Sequence, residues 1–462
     1  MRKPFLLAPL LTLASCGHGA EGPSILLVTF DTTRADHLSC YGYPKKTSPR
    51  IDQLAADALR FENAYSVSSW TLPAHASLFT GKFPSAHGAR YNPEGKINLV
   101  MEGGIKGNPA WNQYRANTIA KTEITLARIL TERGYATHAI IGGPWMKAVF
   151  GLDEGFESYD DSNFVLQQGS ELNGRTAEDI TDHAIAFVDA HAGEPFFLFL
   201  NYYDPHSPYT PAPEYLARFW SGPLPARGQQ SWEFNNARYD AEIRYTDEHF
   251  GRLLDHLRAK RLYEDMWIVF TADHGELMGE QDDEGTPMGG HGDSLSQAEV
   301  HIPLIVKEPG PGRPRGVSDV FVQQVDVMPT LLDRLGLPHP PNLQGRSFDD
   351  PRAEIVAEVY PLPFMNAGKP WRQQGDWKAI VEGPWKFVWG GRGRHLLFDL
   401  EADPGELENL VDARPDVAQR LEEKLIAYFA ALPRPGEAME VETTQEDLDL
   451  LKGVGYLGGE EQ

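Results

Sequence analysis

Side chains that can serve as nucleophiles, acids, bases or metal ligands cluster in four short segments of the chain. They are carboxylates, imidazoles and one hydroxyl: Asp31; Thr71 and His75; Asp204 and His206; and Asp273, His274 and His291. Hydrolysis of a phosphate or sulfate ester needs a nucleophile of lowered pKa and positive charge to offset the developing negative charge. A divalent metal that coordinates a hydroxyl directly supplies both. The four segments are therefore candidate parts of a metal-dependent ester hydrolase.

The elements that must position these residues alternate between helices and short apolar strands. Strands are predicted at Ser24 to Phe30, His138 to Ile141, Pro195 to Leu200 and Trp267 to Phe270. Helices are predicted at Pro49 to Phe61, Leu126 to Leu130, Ile180 to Val188 and Tyr239 to Leu257. This alternation predicts an α/β fold with a large, mostly parallel sheet flanked by helices on both faces. Ligand groups gather beyond the carboxyl ends of such strands, which is where Asp31, Asp204 and Asp273 fall.

The pattern changes from about Asp349 onward. Trp377 to Val381 and Trp385 to Trp389 are predicted to be antiparallel strands, and Asp416 to Leu432 a helix. We therefore expect a catalytic domain over residues 24–348 and a smaller C-terminal subdomain, an antiparallel sheet plus a helix, over 349–435. An acidic tail over 436–462 completes the chain.

The first residues have the pattern of an export signal. Arg2 and Lys3 precede an apolar stretch from Phe5 to Leu13 that is too short to cross a bilayer. Leu13-Ala14-Ser15-Cys16 has the form of a bacterial lipobox. Residues 1–16 are thus expected to be a lipoprotein signal and 17–23 a tether, with lipid on Cys16 as the membrane partner. Gly17 favours the outer membrane and a periplasm-facing body; a cleaved signal with unlipidated Cys16 is the alternative.

Composition narrows the classes of partner. The formal net charge of −24 argues against nucleic acid as a partner, because nucleic acids bind basic surfaces. The charge is compatible with a small-molecule ester substrate. Once Cys16 is assigned to lipid only Cys40 remains, so no internal disulfide is expected. The sequence does not determine the oligomeric state.

Taken in order, the four segments resemble the sulfatase-like branch of the alkaline phosphatase superfamily. The resemblance is carried by Phe30 to Leu38, Trp70 to Gly81, Tyr203 to Tyr209 and Thr271 to Glu276, and it continues through Gly290-His291-Gly292 and Leu397 to Glu406. It covers nearly all of the chain after the signal. It implies the α/β fold, hydrolysis of an ester, and one divalent metal ion. The metal ligands carried over from the family are Asp31, Thr71, Asp273 and His274.

Thr71 marks a departure from the sulfatases. The family needs cysteine or serine at this position, since only those residues can be oxidised to the formylglycine nucleophile. The arginine that supports formylglycine is replaced by His75. We therefore expect unmodified Thr71 to attack, with a phosphoester or phosphonate ester as substrate and with His75, His206 and His291 as further catalytic residues.

The predicted metal ligands also differ from those of the calcium-binding sulfatases. Thr32 replaces a second aspartate and His274 replaces an asparagine, so zinc or manganese is favoured, with calcium or magnesium as alternatives. His206 and His291 are expected to bind the ester oxygens or the leaving group. Alternatively, they form a second metal site together with Asp204.

Other functions and simpler roles are open to the same residues. The chain could hydrolyse a sulfate ester without formylglycine, or transfer a phosphoryl group like the phosphoethanolamine transferases, which have a nucleophilic threonine but also several membrane helices. A non-catalytic binding lipoprotein is a further alternative. Thr71 could merely cap a helix that begins near Pro73. His87, and Arg34 with Asp36, are expected to be structural.

Overall fold

The structure is a computed structural model of the chain. It describes residues 22–92, 94–95, 97–98, 115–120, 122–162, 165–166, 172–226, 229–360 and 370–436. The predicted signal, Cys16, nearly all of the predicted tether and the acidic tail after residue 436 lie outside the described residues. Within the described ranges, no helix is both long and apolar enough to cross a membrane.

Ten helices are present in the described part of the chain. They are α1 Pro49–Ala56, α2 Thr71–Thr80, α3 Pro84–His87, α4 Leu126–Glu132, α5 Ala177–His191, α6 Pro213–Leu216, α7 Trp232–Ala259, α8 Gln297–Val300, α9 Val327–Arg334 and α10 Pro415–Ala431. The predicted helix from Pro49 to Phe61 is too long, because it ends at Ala56. Its last three residues, Leu59 to Phe61, begin a strand that is paired on both sides.

The strands of the described ranges are β1 Ile25–Phe30, β2 Leu59–Tyr65, β3 Ile97–Asn98, β4 Arg115–Ala116, β5 Ala136–Ile141, β6 Ser158–Asp160, β7 Val165–Leu166, β8 Leu172–Asn173, β9 Phe196–Tyr202, β10 Trp267–Thr271, β11 Leu277–Gln281, β12 Pro287–Gly290, β13 Leu304–Lys307, β14 Gly316–Gln323, β15 Ile355–Val359, β16 Trp377–Glu382, β17 Trp385–Gly390 and β18 Leu396–Asp399. Eight of them form one large sheet in the order β14-β2-β13-β10-β1-β9-β5-β6. Only β13 runs antiparallel to both of its neighbours. This arrangement confirms the predicted mostly parallel sheet.

Helices cover both faces of the large sheet. Successive side chains of its central strands point to opposite faces, and the side chains on both faces are apolar. On one face, Leu27 of β1 packs in a cluster that includes residues of α2, α4 and α9. On the other face, Leu26 and Val28 pack in a cluster that includes residues of α1, α5 and α7. β1 is fully buried as a result, and the groups at its carboxyl end are held in a rigid frame.

The C-terminal subdomain is built from the antiparallel sheet β15-β16-β17-β18. Helix α10 packs on one face of it through Leu421 and Leu425. The other face, which includes Val359 and Phe398, joins the apolar core of the large sheet. The predicted small sheet plus helix is therefore present, and it packs directly against the main body.

Candidate active site

The carboxyl ends of two adjacent strands bring three ligand-bearing residues together. Asp31 follows β1, and Asp273 and His274 follow β10, which pairs with β1 in parallel. Each of the three offers one ligand atom, and these atoms all lie within 4.8 Å of one another. All three residues are completely buried. Strand order alone thus accounts for the meeting of residues that are more than 240 positions apart.

Two carboxylate oxygens at this point accept no hydrogen bond from any residue that the structure describes. They are Asp31 Oδ1 and Asp273 Oδ2. Burial raises the pKa of Asp31 well above its ordinary value, and the nearby charge of Asp273 raises it further. Burial acts in the same direction on Asp273, but His274 and His75 outweigh it and hold the pKa of Asp273 below its ordinary value. Unsatisfied buried carboxylates are costly unless a cation compensates them.

His274 presents one ring nitrogen to the site and fixes the other. Its Nδ1 lies 2.8 Å from the carbonyl oxygen of Gly275, so Nδ1 carries the proton and donates it there. The free Nε2 lies 3.3 Å from Asp273 Oδ2. Burial lowers the pKa of His274, which favours the neutral ring that binds metals. A ligating histidine usually has its second nitrogen anchored in this way.

Thr71 lies at the start of α2, with its hydroxyl in the same cluster. Its Oγ1 is 3.3 Å from His274 Nε2, and the residue is only 2% exposed. The helix begins at Thr71 itself, with Trp70 as N-cap and no side-chain capping bond. A capping role therefore does not account for this hydroxyl. The helix N-terminus instead favours negative charge at Thr71.

Thr32 holds the loop that follows β1 in an uncommon conformation. Its φ of 53° lies in the left-handed region, which β-branched residues rarely adopt. In that conformation its backbone N–H donates to Asp273 Oδ1 at 3.1 Å, while its hydroxyl donates to the carbonyl of Pro205 at 2.8 Å. Thr32 thus connects the ends of three strands by hydrogen bonds. Strained backbone conformations of this kind often occur at functional sites.

The donor set fits a divalent metal ion. It combines two carboxylates that lack hydrogen bonds at one oxygen each, an imidazole nitrogen with an anchored ring, and the hydroxyl of Thr71 beside them. In the part of the chain that the structure describes, Asp31, Asp273 and His274 are the one such group. Mixed oxygen and nitrogen donors suit zinc and manganese better than calcium.

His75 lies beneath the cluster and is fully buried. Its Nδ1 donates to the carbonyl oxygen of Thr71 at 3.0 Å and lies 3.6 Å from Asp273 Oδ2. Its Nε2 is 3.0 Å from Thr29 Oγ1. With both nitrogens engaged by the protein, His75 is placed to orient Asp273 and the start of α2, and its direct catalytic role stays a prediction.

Asn201 is a supporting residue that sequence reasoning missed. It lies in β9, and its Nδ2 is within 3.4 Å of Asp31 Oδ2 and 3.3 Å of Thr29 Oγ1. Its Oδ1 accepts from the backbone N–H groups of Gly142 and Gly143, which fixes the orientation of the amide. The available signal was one amide in an otherwise apolar run, because a buried amide must find partners.

His206 and His291 stand on the open side of His274. The His291 ring lies 4.6 Å from the His274 ring and 4.9 Å from the His206 ring. His291 Nδ1 is 3.1 Å from Glu276 Oε1, which orients the ring. Burial lowers the pKa of His206 to about 3, so this ring is neutral. The sequence left the role of Glu276 open, and the structure places its carboxylate beside His291.

Asp204 does not join these histidines. Among the described residues, Asp204, His206 and His291 do not form a group that could hold a metal ion. Asp204 instead lines a cavity of about 220 Å³ with Glu242 and Tyr245, and Tyr203 and His206 line the same cavity. Burial raises its pKa to about 7. The geometry therefore favours one metal over two.

The residues expected to be structural have structural contacts. His87 Nε2 lies 2.9 Å from Ser77 Oγ, while its Nδ1 accepts from the backbone N–H of Ala89. Arg34 forms a two-point ion pair with Asp36, with distances of 2.9 and 2.8 Å. Both predictions are confirmed, and neither residue adds a group to the cluster.

Comparison with known proteins identifies the class to which this fold and site belong. The sulfatase family model matches residues 23–337, which is more than half of the chain. The chain therefore belongs to the sulfatase family. Family members are metal-dependent ester hydrolases, and this chain is a hydrolase of that family.

Individual relatives within and around the family differ in the chemistry that their names imply. The chain is 25% identical over 477 residues to the uncharacterized sulfatase YidJ of Escherichia coli (strain K12), covering 89% of this chain and 88% of YidJ. It is 26% identical to the multifunctional alkaline phosphatase superfamily protein PehA of Trinickia caryophylli, covering 84% and 91%. The solved phosphonate monoester hydrolase of Agrobacterium radiobacter shares the fold, with a TM-score of 0.67, 20% identity and coverage of 88% and 95%.

Proposed function

We propose that the protein hydrolyses a phosphoester or phosphonate ester with the unmodified hydroxyl of Thr71 as nucleophile. The observation that carries the proposal is the position of Thr71 Oγ1, 3.3 Å from His274 Nε2 at the N-terminus of α2, beside two buried carboxylate oxygens without hydrogen bonds. Threonine cannot be converted to formylglycine. An alcohol in this position therefore has to act directly.

In the first step, Thr71 Oγ1 forms a bond to phosphorus while the bond from phosphorus to the leaving oxygen breaks. The proton given up by Thr71 ends on the leaving alcohol, and His291, whose ring is oriented by Glu276, is the group proposed to carry it. The helix N-terminus stabilises the negative charge near Thr71. The leaving group departs as a neutral alcohol.

In the second step, the oxygen of a water molecule bonds to phosphorus and the bond between phosphorus and Thr71 Oγ1 breaks. One water proton returns to Thr71 Oγ1. The other stays on the released acid or passes to the solvent. Glu276 keeps His291 oriented through Nδ1, so the other nitrogen of the ring can exchange a proton with the incoming water.

Asp31, Asp273 and His274, with Thr71, would hold the metal ion. When bound, the ion supplies positive charge that lowers the pKa of an alcohol and offsets charge on the ester oxygens. Asn201 and His75 keep the two carboxylates in place for this role. Zinc or manganese is the ion that this proposal favours.

A panel of matched substrates tests the proposed specificity. Rates on one aryl group carried as sulfate, phosphate monoester, phosphodiester and phosphonate monoester should be measured with the zinc- or manganese-loaded protein. We expect the highest kcat/KM on a phosphorus ester, and loss of activity with a chelator. A highest value on the aryl sulfate would overturn the specificity.

Sulfate ester hydrolysis is the second candidate, because the family model and YidJ are both sulfatases by name. In that case Thr71 would attack sulfur without prior modification. The same panel separates the two candidates, since each predicts a different substrate with the highest kcat/KM. Phosphoryl transfer to an alcohol would appear in the panel as faster ester loss when an alcohol is added.

We further propose that the protein is an envelope lipoprotein with lipid on Cys16, facing the periplasm from the outer membrane. The proposal rests on the lipobox at Leu13-Ala14-Ser15-Cys16 and on Gly17. Labelling cells with a fatty acid should mark the wild-type protein and not Cys16→Ser, and membrane fractionation should place the label in the outer membrane. Release of unlabelled wild-type protein into the periplasm would contradict the proposal.

A further inference from the structure

Tyr203, the residue after β9, is held rigidly at the edge of the active site. Its ring stacks on His206 with ring centroids 4.4 Å apart. Glycines surround the rest of the ring: a Cβ at Gly174 would stand 2.1 Å from its Cδ1, and one at Gly143 would stand 2.7 Å from its Cδ2. Any larger residue at these positions would displace the ring, so the glycines and His206 together fix its orientation.

The hydroxyl of this fixed ring has no hydrogen-bond partner among the described residues, although the residue is only 4% exposed. An unpaired buried hydroxyl is costly, so its persistence calls for a reason. Burial raises the pKa of the phenol well above its ordinary value, and the charges of Asp31, Glu276 and Asp273 raise it further. The hydroxyl therefore keeps its proton close to the carboxylates of the site.

The neighbouring Tyr202 shows what an ordinary buried tyrosine in this strand looks like. Its side chain points to the opposite face of the sheet, and its hydroxyl lies 2.9 Å from Thr181 Oγ1. It is fully buried and its hydrogen bond is satisfied. The two consecutive tyrosines thus differ in one respect. The Tyr202 hydroxyl bonds Thr181, whereas the Tyr203 hydroxyl, on a ring that stacks on His206, has no partner among the described residues.

We infer that Tyr203 is a further catalytic residue, whose hydroxyl donates a hydrogen bond to an oxygen of the ester group while Thr71 attacks. The inference rests on the proposed function for the reaction itself. A fixed donor aimed at developing negative charge stabilises the transition state without reorganisation. The unpaired hydroxyl in the free protein then has its partner in the bound ester, and no proton or covalent bond is transferred by Tyr203.

The test compares Tyr203→Phe with Tyr202→Phe in the metal-loaded protein. Each variant removes a single hydroxyl from one of two consecutive residues at the end of β9. For Tyr203→Phe we expect kcat to fall about 10²-fold, as for loss of one such donor, with little change in KM. Inhibition by orthovanadate should weaken about tenfold, while metal content stays unchanged and the Tm stays equal or rises. For Tyr202→Phe we expect unchanged kcat and a lower Tm.

The inference would be overturned if Tyr203→Phe had the same kcat and the same inhibition by vanadate as the wild-type protein. It would also be overturned if the Tm of Tyr203→Phe fell as far as that of Tyr202→Phe. The result is separable from the fate of the proposed nucleophile. If Thr71→Val remained active while Tyr203→Phe lost turnover, Thr71 would be excluded and Tyr203 would stand. If the wild-type protein turned over no substrate of the panel, vanadate affinity would still test the inference. Weaker binding to Tyr203→Phe than to the wild-type protein would support it, and equal binding would contradict it.

Discussion

Two of the groups of carboxylates that the molecule buries are compensated in different ways. At the active site, Asp31 and Asp273 form no ion pair with any lysine or arginine that the structure describes; their only basic neighbours are histidines. Where the C-terminal subdomain meets the body, Lys386 Nζ lies 2.6 Å from Glu406 Oε1. Although burial alone would raise the pKa of Glu406, Lys386 and Arg372 hold it below its ordinary value.

This difference in charge compensation distinguishes a candidate metal-binding site from a structural contact between the subdomain and the body. The subdomain cluster contains its own cation, so its charge is balanced by the chain. It also supports the site from a distance, because Glu406 accepts from the backbone of Gln297 in α8, and the carbonyl of Glu299 in the same helix accepts from Gly275 beside His274. Among the described residues, no lysine or arginine pairs with the active-site carboxylates, so this cluster is suited to take a cation from solution.

The largest expected effect comes from removing the proposed nucleophile while both groups of carboxylates stay in place. Thr71→Val keeps the shape of the side chain and removes Oγ1, so we expect turnover to fall by more than about 10⁴-fold while the acids still bind zinc. Steady-state kinetics and metal analysis measure both quantities. Thr80→Val is the matched control, because Thr80 lies at the other end of α2 and its hydroxyl only bonds Ala76. Appreciable turnover by Thr71→Val would exclude the nucleophile.

Breaking the structural contact between the subdomain and the body should cost stability and leave metal binding intact. Lys386→Met leaves the buried Glu406 without its cation, so we expect a loss of roughly 3–5 kcal/mol in the free energy of unfolding. Denaturant titration measures the loss, and calorimetry with zinc measures the retained affinity. Lys260→Met should have little effect, because Lys260 and its partner Asp189 are both largely exposed. If Lys386→Met lost zinc affinity and kept the stability of the wild-type protein, the contrast between the two groups of carboxylates would be contradicted.

The support beneath the metal ligands should have a smaller effect on metal affinity. Thr29→Val removes the hydroxyl that links Asn201 to His75, and we expect zinc affinity to fall about tenfold. The control is Thr271→Val: Thr271 pairs with Thr29 across β1 and β10, but its hydroxyl bonds Pro303 instead. Equal zinc affinities in the two variants, by competition titration, would show that the link through Thr29 does not matter.

The smallest effect is a pH dependence that only the uncompensated cluster should show. The folded-state pKa of Asp31 is raised, so in the metal-free protein its contribution to stability is lost as pH rises above 3.8 toward the raised value. The metal displaces this proton, so zinc affinity and the gain in Tm on adding zinc should both increase with pH. Asp273 acts oppositely, but only in acid, because its pKa is lowered. A Tm gain that did not change between about pH 5 and pH 8 would count against this account.

The resemblance to a known family supplied the candidate metal ligands, and their places after strand ends agree with it. Asp31 and Asp273 come directly after apolar runs, and the geometry of a parallel sheet brings such positions together. Sequence reasoning did not identify Asn201 and left the role of Glu276 open, because the contacts of both depend on residues from other segments. It also predicted a direct role for His75, and nothing local in the sequence shows that the two ring nitrogens contact Thr71 and Thr29.

The fold was predictable where periodicity is strong and not where pairing decides the structure. The central strands stand out as uninterrupted apolar runs, and helix α5 stands out through the helical spacing of its apolar residues. Leu59 to Phe61 continues the apolar pattern of α1, yet it becomes part of β2 because β13 and β14 pair with it on either side. Such long-range pairing leaves no local mark in the sequence.

The most direct test of the central claim is to trap the covalent intermediate. Metal-loaded protein should be mixed with a phosphate ester labelled at phosphorus, stopped in acid within the first turnovers, digested and analysed by mass spectrometry. The account predicts one phosphoryl group on the hydroxyl of Thr71, since phosphothreonine survives acid, and none in Thr71→Val. Label on another residue, or an active protein whose Thr71 never carries label, would contradict it.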